Sequence, residues 1–362
     1  MMPMKVCEVC RSFVNGEEGD CEICCNALLY IPQLALKVLD ELKDYEFETF
    51  QVGCRLRGSA RAISELLKFK GVDYDIKRVF NDLMSTKIES LSLKRRSLKP
   101  DINIVFDLED LSFEKNVAPI YIYGRYIKRV RNISQTRWLC KNCGGIGCEV
   151  CSYVGKKYPS SVEEMISEPL KELFKAKDAI LHGAGREDVD ARMLGNGRPF
   201  VAEIVDPKKR YLNLGLVEEY INKYCKGKVK VLNLRYSTHS EVEKIKQERH
   251  KKLYRAKVVL SQDVDEETLK RALEELKGEI HQKTPTRVLH RRSDLLRIRK
   301  LYDAKVILKR KNIAVISFLA DAGLYIKELV SGDNGRTQPS LAEMLKVDAK
   351  VEKLDVIDVF EV

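Results

Sequence analysis

His182-Gly-Ala-Gly-Arg-Glu-Asp-Val-Asp-Ala-Arg-Met-Leu-Gly-Asn-Gly-Arg-Pro-Phe200 is the stretch whose reading decides the fold, for it packs four glycines and charges of both signs into nineteen residues. Gly183 and Gly185 invite a dinucleotide-binding loop, in which Gly-x-Gly brings backbone amides to a phosphate. The third glycine of that fingerprint is missing, Asp188 stands in its place, and no short valine-rich strand leads in. A doubly wound nucleotide fold is therefore set aside. The residue types alone leave two readings open: a turn laced with surface ion pairs, or a loop that presents a carboxylate.

Downstream, strand-like runs at 200–205, 229–234, 255–260, 304–307 and 313–318 alternate with helical patterns such as 265–276. That layout predicts a mixed or antiparallel sheet flanked by helices. Upstream, Ser160 lies three residues before Glu163, as in a capping box. With Met165, Ile166, Leu170, Leu173 and Phe174 on one face, residues 160–176 read as an amphipathic helix that opens the C-terminal domain.

Eight of the 11 cysteines form four Cys-x-x-Cys pairs. In a reducing compartment such pairs read as metal ligands before disulfides, with zinc the natural ion. Cys7, Cys10, Cys21 and Cys24 fall within residues 1–28, a segment with too few apolar residues for its own core; Cys25 competes with Cys24 as fourth ligand, and redox-active dithiols are the other reading. Cys140, Cys143, Cys148 and Cys151 form a second set within 138–156, where glycines let the chain reverse. Its first half matches one copy of the repeat found in co-chaperone zinc modules; a chaperone would need several.

Between the cysteine segments, residues 31–45 carry a helical stripe, and from Phe47 the period changes to that of a strand, with Phe50, Val52, Cys54 and Leu56 on one side. Cys54 is thus expected in a core. Further strands at 102–108 and 120–130 complete an α+β unit of about a hundred residues. In the last of these, Arg125, Lys128, Arg129 and Arg131 interleave with Tyr121, Tyr123 and Tyr126. This suits RNA backbone and unpaired bases, or else a plain edge strand with solvated charges.

The 65 Lys and Arg against 54 Asp and Glu leave a net charge of +11, which favours a polyanionic partner. No N-terminal apolar signal segment and no run of eighteen apolar residues occurs, so a cytoplasmic protein without a membrane span is expected.

Several long segments carry a resemblance: Tyr123-Gly-Arg-Tyr-Ile-Lys128, Ser134-Gln-Thr-Arg-Trp138, residues 185–200, and Gly323-Leu-Tyr-Ile-Lys-Glu-Leu-Val-Ser-Gly-Asp-Asn-Gly-Arg-Thr-Gln-Pro-Ser340. Across essentially its whole length the chain resembles the archaeal and eukaryotic tRNA pseudouridine synthases that modify uridines 54 and 55 of the TΨC arm. The resemblance implies four parts: a four-cysteine zinc knuckle (1–28), a THUMP-like RNA-binding domain (29–137), a second four-cysteine segment (138–156), and a catalytic domain of the pseudouridine synthase fold (157–362). It also implies that structural zinc stays in the RNA-holding region, that catalysis needs no cofactor, and that tRNA is the partner.

Within that family Asp188 aligns with the single indispensable aspartate, a nucleophile or base toward uridine. Asp190, two residues on, is its rival. Tyr254 sits where the family carries its active-site tyrosine, and Lys327 resembles the basic residue that pairs with the aspartate, although many relatives have arginine there. Arg186 and Arg198 are expected to contact phosphate or ribose, and Leu341 to wall the uracil. The run from Lys283 to Lys311 holds twelve basic side chains, Arg291 and Arg292 among them, and is expected to track the tRNA backbone. RNA methyltransferases and thiolases that share the THUMP platform need a glycine-rich cofactor loop or a Ser-Gly-Gly loop, and neither is present. The non-enzymatic alternative is a zinc-dependent RNA-binding or RNA-folding factor with Asp188 as an ion-pair partner.

Overall fold

A computed structural model of the chain describes residues 4–248 and 250–360, the side chains of Ser59 and Arg291 aside. The chain divides into two compact units. The first comprises the residues up to Pro119 with Phe174–Asp178 and Val205–Leu212; the second comprises Ile120–Leu173, Ala179–Ile204 and Asn213–Val362.

In the first unit, helices α1 (Ile31–Glu41), α2 (Gly58–Phe69) and α3 (Ile76–Ser92) accompany strands β1 (Thr49–Arg55), β2 (Arg95–Arg96), β3 (Ile102–Asp107) and β4 (Phe113–Val117). The strands run in the order β2-β1-β3-β4, with β1 parallel to β2 and β3, and β4 antiparallel to β3. The strand period holds as expected: Phe50 and Val52 are buried, and Cys54 is half-buried. Phe80 of α3 packs edge-on against Phe106 of β3. Burial of each such side chain contributes about 1.5–3 kcal/mol. The N-terminal cysteines join this same core, with Cys7, Cys10, Cys21 and Cys24 buried beside Leu28, Ile31, Val38 and Ile76. A segment too poor in apolar residues for its own core thus shares its neighbour's.

The second unit contains β5 (Ile120–Lys128), α4 (Val162–Phe174), β6 (Asp178–Gly183), β7 (Arg192–Val205), α5 (Leu214–Tyr224), β8 (Val229–Ser237), α6 (His239–Gln247), β9 (Lys252–Leu260), α7 (Glu266–Glu275), β10 (Gly278–Lys283), β11 (Leu296–Arg310), β12 (Ile313–Ala320), α8 (Ile326–Ser331), β13 (Thr337–Gln338), α9 (Leu341–Leu345) and β14 (Ala349–Val359). Its sheet runs β8-β5-β7-β14-β9-β12-β11-β10-β13, with β6 on β7. The sheet is mixed, as expected: β14 runs parallel to β7, through Asp355↔Arg192 and Val356↔Met193, and antiparallel to β9. Asp355 reinforces the parallel contact by accepting from Arg192 Nε at 2.9 Å and Nη2 at 2.7 Å.

Four expectations are corrected here. The domain boundary expected at 137 falls instead at 120, because β5 is an interior strand of the large sheet, held between β7 and β8. Neither reading holds for the charges within it: Arg125 and Lys128 are buried, while Arg129, just past its end, is exposed. The second cysteine segment also lies in this unit, tied by bridges Leu139↔Lys156 and Ser134↔Ser161, and not in a separate RNA-holding part. Lastly, the helix starts one residue late: the Ser161 hydroxyl accepts from Glu164 N at 3.2 Å and donates to Glu164 Oε2 at 2.8 Å, in place of Ser160 and Glu163; the doubled Ser-Ser and Glu-Glu permits either register.

The glycine-rich segment is loop and turn only over 184–191. Strand β7 runs through it from Arg192 onward, with a bulge where its pairing passes from β14 to β5. Gly195 (φ +57°) and Gly197 (φ +77°) sit in the left-handed region, and a Cβ on Gly195 would lie 1.9 Å from the Ile357 carbonyl oxygen. The bulge leaves strand carbonyls without ladder partners. Arg125 satisfies them, donating to Asn196 O at 2.8 Å, Gly197 O at 2.9 Å and Val359 O at 2.8 Å, which is why this cation points inward.

Candidate active site

The loop joining β6 to β7, residues 184–191, has little apolar content and is held by its backbone carbonyls. Arg198 donates to Ala184 O at 2.8 Å and Gln135 to Gly185 O at 2.8 Å. The Lys128 ammonium reaches Asp188 O at 3.2 Å, Val189 O at 3.3 Å and Ile133 O at 3.0 Å. Arg131 donates to Asp190 O at 2.6 Å. Beneath the loop, the fully buried Glu187 carboxylate accepts from Arg198 Nε at 2.9 Å and from Tyr126 Oη at 2.9 Å, with Lys128 3.7 Å away. A buried acid so surrounded fixes the loop from below while the next residue faces outward.

That next residue is Asp188. It lines a cleft of about 620 Å³ together with Arg186, Lys252, Tyr254, Arg287, Leu324 and Lys327. Arg287 Nη1 lies 3.1 Å from its Oδ2, and Lys327 Nζ lies 3.5 Å from the same atom. Burial alone would raise the Asp188 pKa, but the charges and hydrogen bonds of Arg287 and Lys327 outweigh it and hold the carboxyl below the ordinary carboxylate range. Asp188 is therefore an ionised carboxylate at neutral pH. Lys327 sits closer to Asp190, at 2.8 and 2.9 Å, so the rival acid is the lysine's main partner and is the more exposed of the two.

Tyr254 lies on β9, buried, with its ring at the cleft; burial pushes its phenol up to about 12, so it stays protonated. Arg186 is exposed at the rim, and Arg292 donates to Tyr325 Oη at 2.6 Å beside it. Two other expected RNA or substrate residues are not free for that part, although Arg198 does line the cleft. Arg198 is 1% exposed and committed to Glu187 and Ala184, and so is no phosphate ligand. Leu341 is fully buried at the start of α9, and the apolar wall of the cleft comes from Val288, Leu324 and Ile326 instead. Arg125 and Lys128, as above, hold backbone. The side chain of Arg291 lies outside the described residues.

Arg287, Glu328 and Lys252 escaped the sequence reading. Arg287 stands inside the basic run Lys283–Lys311, where its sign gave no reason to single it out from eleven neighbours. Glu328 directly follows Lys327, and it holds Arg287 Nε at 2.6 Å.

The two cysteine groups each gather four sulfurs within 4.8 Å of one another. Cys7 and Cys24 sulfurs are 3.6 Å apart, Cys140 and Cys148 3.9 Å, Cys143 and Cys151 3.9 Å, and Cys148 and Cys151 3.8 Å. A tetrahedral ion with sulfur ligands at ~2.3 Å has edges of about 3.8 Å. Each group therefore has the dimensions to hold a metal ion. Cys24 belongs to the first set, and Cys25, turned away by a left-handed backbone (φ +49°), does not.

Comparison with known proteins agrees with this architecture. The family model described as Pus10, C-terminal, matches residues 121–360, starting one residue into the second unit. A tRNA pseudouridine synthase Pus10 of Archaeoglobus fulgidus is 54% identical over 360 residues, covering 98% of this chain and 100% of that protein. That of Methanothrix thermoacetophila is 44% identical over 356 residues, covering 96% and 78%. Among solved structures, a Cbf5-Nop10-Gar1 complex aligns over 52% of this chain and 43% of that one at 19% identity with a TM-score of 0.34, a likeness too distant to carry an argument. On the family model and the full-length relatives together, the chain belongs to the Pus10 family of tRNA pseudouridine synthases.

Proposed function

We propose that this isomerase converts uridine to pseudouridine at position 54, position 55 or both in the TΨC arm of tRNA, with Asp188 as the attacking carboxylate. The observation that carries this reading is the ionised Asp188 facing the cleft between Arg287 and Lys327. A carboxylate so held can add to the ribose as the glycosidic bond breaks, or to C6 of the base. In either route the base is detached, turned and rejoined through C5, an isomerisation that calls for no redox partner. Extruding the uridine costs a few kcal/mol, and the Tyr254 ring returns about 1–3 kcal/mol if the base stacks on it.

Arg186 and Arg292 at the rim are the cations we assign to the RNA backbone, with the first, THUMP-like unit as a second platform. All eight paired cysteines are assigned to structural zinc, since four thiolates at tetrahedral spacing suit that ion. The test is to incubate unmodified tRNA with the full chain and map pseudouridine at each position separately. Pseudouridine at 54 or 55 is the expected result, and its absence from both overturns the reading.

A further inference from the structure

We propose that Lys252 is a further catalytic residue of the cleft, whose terminal nitrogen holds a carbonyl oxygen of the flipped uracil and takes up the negative charge of the ring as its bond to ribose breaks. The proposal rests on the function proposed above and goes beyond it, since neither the sequence reading nor the Asp188 geometry assigns this side chain a role.

Lys252 and Tyr254 stand two residues apart on β9 and so share one face of the strand. Both line the cleft with Asp188, at 7% and 8% exposure. Its strand partners are Ala320 of β12 and Val359 of β14, so the sheet offers it no counter-charge. The nearest acid, Glu187, is already taken by Arg198, Tyr126 and Lys128. Among the described residues the Lys252 side chain makes no hydrogen bond or ion pair, yet its nitrogen is not sealed off: it lies 3.1 Å from where a Gly185 Cβ would be, at the mouth of the loop that carries Asp188. Gly185 leaves that space open. A buried ammonium without a hydrogen-bonding partner costs stability, and the charge of Glu187, already shared with Arg198 and Lys128, offsets only part of it. An electron-rich ligand in the cleft would offset the rest.

The reaction supplies one. Breaking N1–C1′ leaves the electron pair on the uracil, spread over its carbonyl oxygens; forming C1′–C5 uses a ring pair, and the proton displaced from C5 ends on N1. Atoms, protons and electrons balance without a co-reactant. A donor aimed at the oxygen where charge develops stabilises the step more than the ground state. Burial, and then the charge of Arg198 against that of Glu187, bring the Lys252 pKa down to about 7, so its charge is poised to change in the working range. The other charged and titratable groups around the cleft are Lys246, Glu248 and His250 ahead of β9, Tyr254 on it, Arg186 and Asp188 on the loop, and Arg287, Arg292, Arg299 and Lys327 on the facing elements.

The test compares full-length wild type with Lys252→Met and Lys252→Arg in single-turnover pseudouridine formation from pH 5.5 to 8.5, alongside tRNA affinity and thermal midpoint. For Lys252→Met we expect tRNA affinity unchanged, a rate lower by ~10²-fold or more, and loss of the alkaline fall that wild type shows at or above about 7. Lys252→Arg keeps its charge, so it recovers part of the rate with that fall moved out of range. The thermal midpoint of Lys252→Met should equal or exceed that of wild type, most clearly below pH 7, where the buried charge is present. Wild-type rate for Lys252→Met, a slowed reaction with an unaltered pH profile, or a lower midpoint overturns the proposal alone. Wild-type protein that forms no pseudouridine overturns the underlying function as well.

Discussion

The guanidinium of Arg287 joins Asp188 to Glu328: its Nη1 lies 3.1 Å from Asp188 Oδ2, and its Nε lies 2.6 Å from Glu328 Oε1. Lys327, the basic partner expected from the resemblance, divides itself between Asp188 and Asp190 and favours the latter. The forked cation that a lysine cannot provide is thus present, on a different element.

Arg287→Met should leave burial as the dominant influence on Asp188. Its depressed pKa then rises, and since the proposed attack needs the carboxylate, the acid limb of the rate profile moves up by about 1–3 pH units. Rate measurements from pH 4 to 8 check this. Asp190→Asn should not move the limb up, since it leaves Arg287 on Asp188 and frees Lys327 to turn to it.

The Glu187 cluster supports the loop from beneath. Arg198→Met strips the closest cation from a carboxylate that has no access to water, and the native state should lose about 3–5 kcal/mol. Denaturant unfolding checks this. An equal or greater loss for Glu187 and Arg198 replaced together by apolar residues would contradict the account, for the Lys128 that this leaves without a counter-charge keeps its three carbonyl acceptors.

Gly195→Ala tests the bulge. A left-handed backbone costs a residue with a Cβ about 1–2 kcal/mol, and here the Cβ also overlaps the Ile357 carbonyl oxygen. The thermal midpoint should fall, and the rate should fall with it, because Arg192 and Phe200 on either side anchor the strand that follows Asp188. An unchanged midpoint would show that β7 does not bulge there.

The cysteine sets should bind two zinc ions per chain. Cys7→Ser and Cys148→Ser are each expected to release one, counted by elemental analysis. A chelator should draw first on Cys140–Cys151, where three of four sulfurs are only half-buried, and later on the fully buried N-terminal set.

Much of this was legible in the chain. The cysteine spacing gave both sulfur clusters, and the 2-residue period placed Phe50 and Val52 correctly, because local signals need no distant partner. Lys128 and Arg198 were not legible as buried residues. Their charge argued for solvent or phosphate, and only the loop that carries Asp188, with the neighbouring Ile133, supplies the carbonyls and the carboxylate that draw them in. Arg287 was hidden for the opposite reason: its partner lies ninety-nine residues away in sequence, and one arginine among eleven basic neighbours carries no local mark. The 120 boundary was missed because β5 continues the strand pattern of the first unit while its ladder partners, β7 and β8, come far later.

The central claim is that Asp188 performs the attack, and Asp188→Asn tests it most directly. With unmodified tRNA and the full-length chain, the account predicts tRNA affinity equal to wild type and no pseudouridine at position 54 or 55. Conversion by that variant at a rate near wild type would contradict it.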